Sequence, residues 1–152
     1  MHSRIGARLF ATGLLLTAFC LLLSCSIPSL EEPDCTQARD VVREFYSLHF
    51  ANGTDLSQEN SKVRDTLTPR FIQGLQAVNP EVDSFTLVNR SDNPPKAFRV
   101  AGCVVTEPSK SVRFTLLLFW KDDVKSEQRE IGVLAEKQND KWLIDGVGPS
   151  GD

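Results

Sequence analysis

Residues 111–121, Ser-Val-Arg-Phe-Thr-Leu-Leu-Leu-Phe-Trp-Lys, decide the fold. From Phe114 to Trp120 only Thr115 is polar. The run is bounded by Glu107-Pro108-Ser109-Lys110 before it and Asp122-Asp123 after it, two turn-forming clusters. A short aromatic and aliphatic run between such clusters predicts a strand, and apolar side chains on both faces predict one covered on both sides. Working outward, Ala97–Thr106 precedes it, while Gln128–Lys137 and Lys141–Val147 follow, the last two split by Asn139-Asp140. Connections this short join antiparallel neighbours, so the four runs predict a meander. Further back, Phe85 and Leu87 alternate as one short strand that Asp92-Asn93-Pro94-Pro95 breaks.

Ahead of the strands the period is helical. Asp34 reads as an N-cap with Gln37 three residues on, the capping-box arrangement. Ala38, Val41, Val42, Phe45, Leu48 and His49 then fall on one stripe, until Asn52-Gly53 ends it. A second helical stretch follows Ser57, with Val63 and Leu67 inward. Thr68-Pro69 opens a third as cap and first-turn proline. Phe71, Ile72, Leu75 and Val78 form its buried side, and Asn79-Pro80 stops it. Helices first and a meander after predict an α+β domain, with N-terminal helices packed on a curved antiparallel sheet.

The N-terminus is of another kind. Arg4 and Arg8 precede fifteen uncharged residues, Leu9–Leu23, and Ser24-Cys25 closes the run. A basic start, an apolar stretch and a small residue make a secretory signal. A spanning helix needs about 20 apolar residues, so a permanent transmembrane anchor is the poorer reading. Leu22-Leu23-Ser24-Cys25 resembles the bacterial lipobox. That resemblance implies cleavage before Cys25 and lipidation of its thiol. The expected divisions are a signal peptide over 1–24, a lipidated tether over 25–33, a domain over 34–147 and a flexible tail over 148–152. The competing reading is a secreted protein in which Cys25 is incidental. Ser26, in place of an inner-membrane-retaining aspartate, points to an outer membrane or a surface-facing location.

The whole chain carries a net charge of −3, and removal of Arg4 and Arg8 leaves −5 on 128 residues. A mildly acidic domain has no general attraction for phosphate backbones, so nucleic acid is not an expected partner. Cys20 leaves with the leader and Cys25 takes the lipid, so Cys35 and Cys103 remain. An oxidising compartment favours a disulfide between them, with two separate buried thiols as the alternative. One mature histidine and no C-x-x-C argue against zinc, and no cofactor is expected.

The order of elements resembles the nuclear-transport-factor-2-like, or cystatin-like, α+β cone, and within it small bacterial lipoproteins carrying domains of unknown function. The likeness rests on Ala38-Arg39-Asp40-Val41-Val42-Arg43-Glu44-Phe45-Tyr46, on Leu67-Thr68-Pro69-Arg70-Phe71, and on Lys141-Trp142-Leu143-Ile144-Asp145-Gly146-Val147. Shared fold does not carry function, and the superfamily includes isomerases, dehydratases and binding modules. The residues bear on several chemistries. Gly146-x-Gly148-x-x-Gly151 has the dinucleotide spacing but no following helix, so it is a coincidence of spelling. His49 reads as a partly buried, hydrogen-bonded packing residue rather than a base. Asp145 reads as an exposed strand carboxylate; buried, with Tyr46 as donor, it would suit an isomerase or lyase of the ketosteroid isomerase kind. Phe45, Tyr46, His49, Trp120 and Trp142 are the candidate pocket, although aromatics at such spacings are more often core. No catalytic residue is assigned. The expectation is a non-enzymatic, lipid-anchored envelope protein that binds a small apolar ligand or a partner protein. The alternatives are the isomerase or lyase and an envelope-assembly subunit.

Overall fold

The computed structural model describes residues 31–52, 61–75, 81–121 and 126–151. The expected leader, the Cys25 lipidation site and most of the tether lie outside these residues. So do Val78, the Asn79-Pro80 stop and the Asp122-Asp123 turn. The domain is α+β. Helices α1 (Pro33–Asn52), α2 (Ser61–Arg64) and α3 (Pro69–Leu75) come first. A two-stranded hairpin follows, β1 (Val82–Asp83) and β2 (Val88–Asn89). The main sheet is β3 (Ala97–Glu107), β4 (Ser111–Lys121), β5 (Ser126–Gln138) and β6 (Lys141–Pro149). Its strands pair antiparallel in chain order. No helix among the described residues is long and apolar enough to cross a membrane.

α1 starts two residues earlier than the capping-box reading allows. Pro33 occupies its first turn, where a missing N–H costs nothing. The Glu32 carbonyl accepts from Thr36 N at 3.0 Å. Asp34 instead accepts from Ser109 N at 2.7 Å, and Gln37 Oε1 meets Trp142 Nε1 at 3.5 Å. Glu31 pairs with Arg39, so residues 31–33 belong to the domain rather than to a tether. The Thr68 cap of α3 is present: Phe71 N donates to Thr68 Oγ1 at 3.1 Å.

The core lies between one face of α1 and one face of the sheet. Cys35, Ala38, Val42, Phe45 and Tyr46 meet Val112, Phe114, Leu116, Leu118, Ile131, Val133 and Ile144. Even-numbered residues of β4 point into it, as period-two alternation requires. On the other face Arg113, Thr115 and Phe119 are only half-buried, whereas Leu117 is buried between its cross-strand partners Arg99 and Glu130. The expected double cover of β4 is therefore confined to Leu117. Phe85 and Leu87 do not form a strand. They sit in the turn between β1 and β2, with Leu87 at a φ of 55°. Gly148 and Pro149, expected in a flexible tail, extend β6 opposite Gly132 and Ile131.

Three irregularities interrupt the ladders among the described residues, one of them between Val105 and Glu107 at the end of β3. Between Val100 and Cys103, β3 carries an extra residue, and Arg39 satisfies the freed carbonyls of Val100 (2.9 Å) and Ala101 (3.1 Å). Between Ile144 and Gly146, β6 carries Asp145 as an extra residue opposite the Leu134–Ala135 step. Cys35 and Cys103 are disulfide-bonded, with Cα atoms 5.9 Å apart, which ties α1 to β3 beside the first bulge.

Candidate functional site

The C-terminal turns of α1, the small hairpin, the Pro94-Pro95-Lys96 segment and the adjoining ends of β4 and β5 converge at one end of the domain. The hairpin is built around Asp83. Its Oδ1 accepts from Phe85 N at 3.1 Å and its Oδ2 from Thr86 Oγ1 at 2.6 Å, an Asx-type closure of the turn. Asp83 Oδ2 also lies 3.1 Å from His49 Nε2. The Tyr46 hydroxyl donates to Phe85 O at 2.8 Å, so α1 holds the hairpin at two points. Both partners of the His49–Asp83 pair are 5% exposed. Burial pushes the Asp83 carboxyl up, but the hydrogen bond and charge of His49, with those from Thr86 and Phe85, outweigh it and hold the group below its ordinary range. Burial, then the Asp83 charge, pushes the Tyr46 hydroxyl well above its usual value, so it stays a neutral donor.

Two clefts open at this end. The smaller, of about 310 Å³, is lined by His49, Asp83 and Thr86 on its polar side and by Phe50, Pro94 and Pro95 on its apolar side, with Lys96 at its edge. The larger, of about 590 Å³, also includes Lys96, so the two adjoin. Trp120 is its main aromatic wall. The indole is fixed by Nε1–H donating to Asn93 O at 2.7 Å, and the Arg129 guanidinium lies over the ring at 5.2 Å from the centroid.

Of the five aromatic positions expected to share a pocket, the structure brings only two to these clefts, one in each. His49 lines the smaller and Trp120 the larger. Phe45 and Tyr46 are fully buried core, packed edge-on at 5.0 Å. Trp142 is buried beside Gln37, in a part of the core that lines neither cleft. Helical and strand spacing here mark the packed face, the commoner meaning of such a stripe. Phe50, Asp83, Thr86, Lys96 and Arg129 contribute to the site without having stood out in the sequence. Asp83 had a signal only in its residue type, since an aspartate can accept from the backbone N–H two residues on, as it does here from Phe85.

Asp145 is not exposed. Its side chain is 1% accessible, accepts from Thr68 Oγ1 at 2.6 Å and from Arg70 Nε at 3.2 Å, and is ion-paired with Arg70 Nη2. The bulge is the reason. Alternation counted along β6 assigns Asp145 the face opposite Ile144, but an extra residue breaks the count and turns the carboxylate toward the N-terminus of α3. At the opposite end of α1, Glu31 lies close to the sulfurs of Cys35 and Cys103. A disulfide presents no thiolate, and Glu31 is committed to Arg39, so this cluster does not fit a metal ion. No protein-family model, curated protein or solved structure matches the chain.

Proposed function

We propose that this is a lipid-anchored envelope protein, held through Cys25, whose domain is a cystatin-like cone binding a small ligand at its open end. The observation that carries the binding reading is the pair of adjoining clefts sharing Lys96, with Trp120 and His49 in their walls. The helix-then-meander order and the bulged sheet under α1 support the cone. The chain enters the domain at the N-terminal end of α1, and the clefts lie at its C-terminal end.

The isomerase or lyase alternative requires a carboxylate free to take a proton. Thr68 and Arg70 already engage Asp145, and the Tyr46 hydroxyl already donates its hydrogen bond to Phe85 O, which weighs against that reading. Native mass spectrometry of the protein released from envelopes tests the binding reading. The expected result is a small-molecule adduct that an ordinary denaturing spectrum lacks. A bare chain, or one that carries only another protein, would overturn it, the latter in favour of the assembly subunit.

A further inference from the structure

The larger cleft holds an arginine arranged for recognition. Stacking on an indole that is itself hydrogen-bonded in place restricts the Arg129 guanidinium, so its N–H fork is presented in a fixed plane. The fork suits a planar or tetrahedral oxyanion. Its only ion pair among the described residues, to Glu127 at 3.4 Å, is exposed and therefore weak enough to exchange. Lys96 and Lys121 line the same cleft, and neither makes an ion pair among the described residues. Asp92 and Glu127 also line it, so among the described residues the cleft sets three cations against two carboxylates in a chain whose overall charge is −3. The adjoining cleft has the opposite character along one wall: Phe50 and Pro94 offer apolar surface, Pro95 is buried in the same wall, and Lys96 stands where the two clefts meet.

Resting on the ligand-binding reading above, we propose that the two clefts form one site for an amphiphilic anion. A carboxylate or phosphate engages Arg129, Lys96 and Lys121, and an apolar body lies against Phe50 and Pro94. Charge complementarity selects the head group. The apolar wall supplies affinity in proportion to the surface that it removes from water.

The test uses the envelope-extracted protein in lipid nanodiscs, with hexyl phosphate, hexanoate, hexanol, hexylammonium and inorganic phosphate as probes. Trp120 is half-exposed and Trp142 buried, so a change in indole fluorescence reports the cleft. Saturable binding of hexyl phosphate or hexanoate is expected, about tenfold tighter than that of hexanol or hexylammonium, and the two anions separate a phosphate from a carboxylate preference. Lys96→Gln and Arg129→Gln, both at exposed positions, should each weaken anion binding about tenfold and leave hexanol unchanged. Inorganic phosphate binding as tightly as hexyl phosphate would overturn the apolar half of the site. Hexanol or hexylammonium binding as tightly as the anions, or anion binding indifferent to both substitutions, would overturn the anion preference while ligand binding stood. Silence toward every probe would overturn the proposal outright, and the native mass spectrum would then decide the binding reading separately.

Discussion

Asp83, with three partner residues, and Asp145, with two, are buried carboxylates that hold neighbouring elements in place rather than facing a reacting atom. Replacing Asp83 with Ala removes the acceptor for two donors and leaves His49 facing an empty site. A loss of about 2–3 kcal/mol is expected in a urea unfolding curve. The pH dependence has a definite sign. A carboxyl whose folded pKa is lowered contributes fully above its unfolded value, about 3.9, and the contribution disappears as pH falls through the folded value. Asp83→Asn should therefore flatten the stability profile below about pH 4 relative to wild type. Asp145→Ala should cost about 2 kcal/mol by orphaning Thr68 Oγ1. Only one of these two residues was legible in advance, and then only in part. Asp83 is of a turn-forming residue type, but the strands flanking it are two residues each, too short for alternation to register. Asp145 was misplaced because a one-residue bulge leaves no mark in a hydrophobic pattern, yet reverses what the pattern says about facing.

The elements themselves were far more legible, because each main strand is delimited by turn chemistry. Asn139 and Asp140 both have positive φ, at 49° and 62°, as a two-residue type I′ hairpin demands, and these residue types tolerate it. The turn before β4 is less well matched. Pro108 sits at its second position and Ser109 at its third with a φ of 58°, where a type II turn prefers glycine. Ser109→Gly should raise stability by about 0.5–1 kcal/mol, since the backbone N–H that bonds Asp34 is retained. A thermal melt with no increase would show that the left-handed residue costs nothing here. The disulfide acts at the same scale, fastening α1 to β3 across 68 residues of chain. In the chain-entropy model, reduction should lower stability by roughly 4 kcal/mol, and the intact mass should rise by two hydrogens. The clefts could not be read this way. They assemble from α1, the hairpin, a proline segment and two strand ends, spanning His49 to Arg129, and no local period relates such residues.

At the scale of the molecule, the Cys35–Cys103 disulfide accords with the proposed lipid anchor on Cys25, because both belong to an oxidising compartment. The alternative, a freely secreted protein, keeps the domain, its clefts and the disulfide but lacks the lipid. Incorporation of radiolabelled palmitate in the native host separates the two most directly. The account predicts label in the wild-type protein, none in Cys25→Ala, and release of the substituted protein from the membrane fraction. An unlabelled wild-type chain that fractionates and matures identically to Cys25→Ala would contradict it.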